Sequence, residues 1–100
     1  MPEIDTIIHQ PARLKIMASL MTLEPGEQVD FVYLRKILNL TDGNLGAHLL
    51  KLEQARYIKV EKTFVARIPR SFISMTTKGR SAFENHVTAL EEIVHGRGKN

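Results

Sequence analysis

Thr41, Asp42, Asn44 and Lys51 carry groups able to bond to a second polar surface, and all four fall within Thr41–Gln54. That stretch reads Thr-Asp-Gly-Asn-Leu-Gly-Ala-His-Leu-Leu-Lys-Leu-Glu-Gln. At about 100° per residue, Leu45, Leu49 and Leu52 form one apolar stripe fit to face a core. Gly43, Asn44, Ala47, Lys51 and Gln54 fall on the other side, all small, polar or basic. Lys51 has the reach for a guanine edge or a phosphate. Asn44 has the paired donor and acceptor that suit adenine, and Ala47 the size to lie against a thymine methyl. Thr41 and the free N–H groups of a helix start suit a phosphate oxygen. Asp42 sits badly beside phosphates and is read as a capping residue or a cytosine contact. Glycines at 43 and 46 lower helix propensity, while small residues let another surface come close. A DNA major groove is one such surface. An ordinary surface helix with a frayed start fits this stretch equally well, so the rest of the chain must decide.

The elements that would position this helix can be read in order. Ile4, Ile7 and Ile8 are spaced like one helical face ahead of Pro11, a residue well tolerated at a helix start. Leu14, Ile16, Met17, Leu20 and Met21 give a helical pattern over Ala12–Leu23, stopped by Glu24-Pro25-Gly26. Glu27-Gln28-Val29 is an extended link. Asp30 then caps a second helix, Phe31–Leu38, with Phe31, Leu34, Ile37 and Leu38 inward. Asn39 suits a left-handed stop and Thr41 caps the next helix, so two helices meet across a turn of about three residues, a helix-turn-helix pattern. Tyr57–Lys62 and Ser71–Thr76 favour strands. Thr63–Arg70 between them is too long for a tight turn, which predicts an antiparallel hairpin with a protruding basic tip. Thr77 caps a last helix carrying Phe83, Val87, Leu90 and Val94 at coiled-coil-like spacing. Residues 1–95 are thus expected to form one domain, with 96–100 a disordered polar tail.

Composition bounds the function. The chain has 100 residues, 43% hydrophobic and 25% charged, as ordinary globular domains do. Its net charge of +3 is unevenly spread. Residues 35–80 hold ten bases against the acids Asp42, Glu53 and Glu61, whereas the two ends together are acidic. A basic middle suits an anionic partner. Absence of cysteine removes disulfides, thiolate metal sites and cysteine nucleophiles. His9, His48, His86 and His95 never take the His-x-x-x-His spacing of two ligands on one helix face, so no metal and no cofactor is expected. No phosphate-binding glycine loop or nucleophile elbow is present, and an enzyme is not expected. No apolar run is long enough for a membrane span and no secretory signal is seen, which leads to the expectation of a cytoplasmic protein.

Three words in the chain carry a resemblance: Leu40–Glu53, then Ala-Arg-Tyr-Ile at 55–58, then Arg-Ser-Phe-Ile-Ser-Met-Thr-Thr-Lys-Gly-Arg at 70–80. In order and spacing, from about Pro11 to Leu90, they resemble the small winged-helix transcriptional regulators related to the MarR and ArsR groups. The resemblance implies an α+β, mostly α, winged helix-turn-helix with three helices, a two-stranded wing hairpin and a C-terminal dimerisation helix. It also implies a homodimer on operator-like double-stranded DNA. Helix 41–54 would lie in the major groove and wing 62–70 on the backbone or in the minor groove. Carried onto this chain, the groove-facing positions are Thr41, Asp42, Gly43, Asn44, Ala47, His48 and Lys51. The wing positions are Lys62, Arg67 and Arg70. The family usually has glycine where Arg56 stands, just before the first wing strand.

Several positions keep two readings. His48 borders the apolar stripe, as a partly buried structural histidine or as a DNA contact. Leu50 either packs under the wing or marks a protein-contact surface, and the latter belongs to a rival function: a winged-helix protein-interaction module that touches no DNA. The apolar face of the last helix folds back on its own domain or pairs with a second copy. For so small a core, pairing through Ile4, Ile7, Ile8, Phe83, Val87, Leu90 and Val94 is the expectation. A cavity between the last helix and the rest of the domain would have room for a small-molecule effector, which no residue identifies.

Overall fold

A computed structural model describes residues 3–96; most of the expected polar tail lies outside the described residues. Helix α1 (Pro11–Met21) opens on proline, with the Gln10 side chain accepting from Arg13 N at 2.9 Å. Helix α2 (Phe31–Leu38) is capped by Asp30 and stopped by Asn39, whose φ of 54° is left-handed. Helix α3 (Asp42–Gln54) starts at Thr41, whose Oγ1 accepts from Asn44 N at 3.1 Å. Strands β2 (Ile58–Val65) and β3 (Ile68–Met75) form the hairpin, and helix α4 (Thr77–His95) ends at a left-handed Gly96. Its cap is Thr76 rather than Thr77, because the Thr76 hydroxyl reaches Gly79 N at 2.9 Å.

Three expectations are corrected by local geometry. The link before α2 contains a short strand, β1 (Val29–Asp30), which pairs with β3 and makes a three-stranded antiparallel sheet in the order β1-β3-β2. The hairpin is not joined by a long loop: pairing runs from Ile58↔Met75 to Val65↔Ile68, leaving Ala66 and Arg67 as the turn. Both have positive φ, 51° and 69°, the backbone that a two-residue hairpin turn requires. The segment before Pro11 is not a helix. Asp5 Oδ1 accepts from Ile7 N at 2.9 Å and Ile8 N at 3.1 Å, folding it into a turn.

That turn sends Ile8 into the core, where it is fully buried with Ile16, Met17, Leu20, Leu34 and the Leu45, Leu49, Leu52 stripe of α3. Ile8 therefore has no surface to offer a second copy, and Ile7 packs half-buried against the same core. Ile37, expected inward on α2, is half-exposed instead. Helix α2 buries only Leu34 completely; Phe31 and Leu38 pack partly buried against the core, while Val32, Tyr33 and Ile37 are exposed.

The end of α3 is tied to the start of α4 at one point. Arg56 N donates to Glu53 O and Tyr57 N to Leu52 O, with Arg56 at φ 65°, a left-handed helix stop. This explains why glycine is usual there: any side chain at such a φ costs about 1 kcal/mol. Thr76 Oγ1 donates to Arg56 O at 2.7 Å, and Thr76 N to Tyr57 O at 3.1 Å. Gly79 then passes so close that a Cβ would stand 2.0 Å from the Tyr57 carbonyl oxygen.

Asp5 gathers the rest. Its N–H donates to Nδ1 of the fully buried His86 at 3.0 Å, and its second carboxylate oxygen accepts from the Tyr57 hydroxyl. Burial first, then the hydrogen bond and charge of Asp5, push the Tyr57 hydroxyl up to about 12. Burial lowers the pKa of His86, the nearby His9 adds to that, and Asp5 opposes it. His48 is also lowered, by burial and then by Arg13. Both folded-state values lie below the ordinary 6.5, so the unfolded chain binds protons first. Stability from these two groups is therefore complete above about pH 6.5 and declines as pH falls below it. Thermal melts are expected to show a midpoint that drops between about pH 7 and pH 5, and a shallower drop for His86→Gln. A midpoint equally pH-dependent in both proteins would place the effect elsewhere.

Candidate nucleic-acid interface

The face of α3 opposite Leu45, Leu49 and Leu52 is open. Gly43, Asn44, Ala47, Lys51 and Gln54 are exposed on that side, and Thr41 and Asp42 are exposed at the helix start. The two glycines on this helix have ordinary helical backbone, and a Cβ added to either would meet nothing within 4 Å. Nothing inside the domain therefore requires them. Each lowers helix stability by about 1 kcal/mol relative to alanine.

Asp42 and His48 are engaged with side chains of the other helices. Asp42 Oδ1 pairs with Arg35 Nε of α2 at 2.8 Å, bridging the two helices of the helix-turn-helix. The Asp42 side chain stays 80% exposed, so this solvated pair offsets its charge only in part. His48 is half-buried, its Nδ1 3.4 Å from Arg13 Nη1, while Arg13 Nε donates to Ile7 O. His48 thus faces Arg13 of α1.

The wing adds a second exposed element. Every residue from 61 to 70 is exposed. Side chains alternate along a strand, so Ile58, Val60, Lys62 and Phe64 share one face with their partners Met75, Ile73, Ser71 and Pro69. Val60, Lys62 and Ser71 border a groove of about 380 Å³ whose other wall is Gly46, Leu49, Leu50 and Glu53 of α3. That face of the wing is thus the one turned to α3. Leu50 does not disappear beneath the wing; it is 54% exposed at the groove edge. Arg70 lies on the opposite face, 3.5 Å from Asp30, where it holds the cap of α2. The pair is partly solvated, a kind worth about 0–1 kcal/mol, so Arg70 remains able to exchange Asp30 for another anion. A second groove of about 300 Å³ lies between the end of α1, β1 and α2. Neither groove borders α4, beside which an effector cavity was expected.

Among the described residues, no three His, Cys, Asp or Glu side chains come together as a metal site requires. No helix among them is long and apolar enough to cross a membrane.

Comparison with known proteins agrees with this geometry. The model of the winged helix DNA-binding domain matches residues 12–94. The chain belongs to that family. A curated relative, an uncharacterised protein of Methanocaldococcus jannaschii, is 41% identical over 87 residues, covering 87% of this chain and 91% of its own. Among solved structures, a transcriptional regulator homologue from Pyrococcus horikoshii superposes with a TM-score of 0.82 at 29% identity, over 92% of this chain and 88% of that one. A MarR family regulator from Enterococcus faecalis has the same fold, with a TM-score of 0.70 at 19% identity, over 94% of this chain and 78% of that one. The family is a DNA-binding one, and both solved neighbours are named as transcriptional regulators.

Two features of the site escaped the sequence reading. Pairing of Arg35 with Asp42 had a signal in the opposite charges seven residues apart across the helix turn. The α3-facing side of the wing was hidden by the belief in a long loop at 63–70; counting alternate residues from Ile58 would have revealed Phe64 on it.

Because Gly43 and Gly46 answer to no internal contact, Gly43→Ala and Gly46→Ala are expected to stabilise the fold. The gain should be about 0.5–1 kcal/mol each in urea unfolding. A loss of stability in either variant would show that the glycine serves the fold after all.

Proposed function

We propose that this winged helix acts as a homodimer that regulates transcription by placing α3 in the major groove of operator-like duplex DNA. The observation that carries the reading is the open face of α3, small and polar, with two glycines for which the domain itself has no use. A helix that gives up stability at its exposed face gains closeness to whatever docks there, and bases at 35–80 favour an anion. In this reading Lys51 reaches a guanine edge or phosphate and Asn44 reads adenine. Ala47 lies against a thymine methyl, and Thr41 with the N–H groups of the helix start holds a phosphate. Gly43 sets the approach distance, while Asp42 orients Arg35. Lys62 and Arg67 lie on the backbone or in the minor groove, with Arg70 as a secondary contact.

Dimer formation is supported by α4. Its inward stripe of Gly79, His86 and Ala89 is buried, yet the helix runs on and leaves Ile93 63% and Val94 75% exposed, with Val87 and Leu90 half-buried beside them. The domain measures 57 × 25 × 21 Å, long for its size. A helix that outruns its own core with an apolar stripe intact suits a second copy. Phe83 is half-buried against its own core, so the pairing surface is read as Val87, Leu90, Ile93 and Val94, with Ile4 alongside. Two-fold pairing would set two copies of α3 on successive major grooves, about 34 Å apart. Exposed Leu50 favours the rival reading, a protein partner in the groove beside the wing.

Fluorescence anisotropy with mixed-sequence duplex DNA over a salt series separates the two. Wild type is expected to bind with a log–log salt slope of about −0.9 per phosphate neutralised, and Lys51→Ala to bind more weakly with a slope shallower by about 1. Absence of salt-dependent binding would leave the protein-interaction reading in its place. For the dimer, light scattering after size exclusion is expected to give a dimer for wild type and a monomer for Leu90→Glu and for Val94→Glu. A dimer that survives both would move the interface away from α4.

A further inference from the structure

The far end of the wing is apolar as well as basic. Phe64 is 71% exposed, and Val65, Ile68 and Pro69 are exposed beside it, directly paired as Phe64↔Pro69 and Val65↔Ile68. Residues 62–70 contain Lys62, Arg67 and Arg70 and no acid. An exposed phenyl ring on a projecting hairpin is unfavourable in water, and it serves neither the core nor the sheet. We infer that Phe64, with Pro69 beside it, is an apolar wedge that seats in the minor groove of the duplex flanking the one read by α3. The inference rests on the DNA-binding reading and deepens it, by naming the groove contact and the residue that makes it.

Three observations select this occupant. Phe64 and Pro69 continue the face of the wing that carries Val60, Lys62 and Ser71, the face turned to Gly46, Leu50 and Glu53 of α3, which lie beside its open side. Lys62 on the same face and Arg67 at the apex match a groove with phosphate walls, while its sugar faces, and the base planes uncovered where a step opens, are apolar enough to pack against a ring. Apolar side chains, phenylalanine and proline among them, serve this way in minor-groove binders. The turn supplies the third. Ala66 and Arg67 hold left-handed backbone without the glycine or asparagine that would relieve it. That strained two-residue turn keeps the strands paired to their last residue and puts a guanidinium at the apex, suited to a narrow minor groove. A looser loop would let Phe64 and Pro69 part.

The test uses the full chain and mixed-sequence duplex DNA in the same anisotropy format, with wild type, Phe64→Ala, Phe64→Leu and Lys51→Ala. Phe64 carries no charge and releases no counterion. Phe64→Ala is therefore expected to weaken binding about tenfold at every salt concentration with the slope unchanged, whereas Lys51→Ala makes the slope shallower by about 1. Phe64→Leu is expected to recover most of the affinity, because a branched apolar group still fills the wedge. A netropsin-type minor-groove ligand is expected to compete with wild type, and a wild type indifferent to it would overturn the minor-groove seat. Affinity of Phe64→Ala within about twofold of wild type would overturn the wedge while leaving DNA binding intact. So would a weaker variant whose slope has changed, since that loss would come from displaced phosphates. Wild type without salt-dependent binding would overturn the DNA reading itself, and the wedge with it. Binding to anionic phospholipid vesicles that Phe64→Ala loses, with DNA affinity unaltered, would assign the tip to a lipid surface and overturn it too.

Discussion

The point on which the domain turns is the dipeptide Arg56-Tyr57. Its two carbonyls receive Thr76, through the hydroxyl at one and the N–H at the other, and Gly79 packs against the second so closely that no side chain fits. Helix α3 ends there, the wing begins there, and α4 starts from there. The Tyr57 side chain carries the same junction into the N-terminal segment through Asp5, and Asp5 reaches α4 again at His86. A single knot of backbone and side-chain hydrogen bonds thus fixes the angle between the exposed helix, the hairpin and the last helix. Such bonds contribute about 1 kcal/mol each, but their joint effect is geometric. For the proposed function, in which the exposed helix and wing meet one duplex together, that angle matters more than the energy of any bond.

The helix-turn-helix was legible because its signals are local. Asp30, Asn39 and Thr41 cap and stop helices by chemistry confined to three or four residues, and Leu45, Leu49 and Leu52 repeat at the helical period. What stayed hidden depends on pairing or on distant partners. Val29 and Asp30 form a strand only because β3 is there to receive them. Ile4, Ile7 and Ile8 are spaced like a helix face, but the Asp5 carboxylate captures Ile7 and Ile8 N–H groups and turns the chain before a helix can start. The hairpin turn was misread for a different reason. Ala-Arg is not a turn sequence by propensity, and no rule of composition announces that both residues will accept positive φ. For the site, the open face of α3 could be read residue by residue from periodicity. Which of its polar groups are already paired could not, because Arg35 and Arg13 lie on other helices.

The departures from local preference lie on the proposed DNA-facing side or where the chain enters it. Glycines weaken α3 at Gly43 and Gly46, and Arg56, Ala66 and Arg67 occupy backbone that favours glycine. Consistency between local preference and fold is the ordinary condition of a stable sequence, and breaches tend to gather at functional surfaces. Here the breaches divide into two kinds. At 43 and 46 a side chain is missing where the fold would welcome one, which brings a surface closer. At 56 and 67 a guanidinium is present where the fold would prefer none, which sets positive charge at the base and apex of the wing.

Against that background the apolar tip acquires its meaning. A regulator that relied on cations alone would bind any duplex, with affinity falling steeply as salt rises. Uncharged contacts add binding that salt does not erode. Those made in the minor groove respond to its width and deformability, properties that vary with sequence at base pairs no side chain reads directly. In the proposed reading, α3 has few groups for direct base reading: Asn44, Ala47 and Lys51, with Asp42 paired to Arg35. A wing that senses shape would compensate for a recognition helix short of base contacts. The small face of α3 and the phenyl ring at the hairpin end are, on this argument, two halves of one recognition surface.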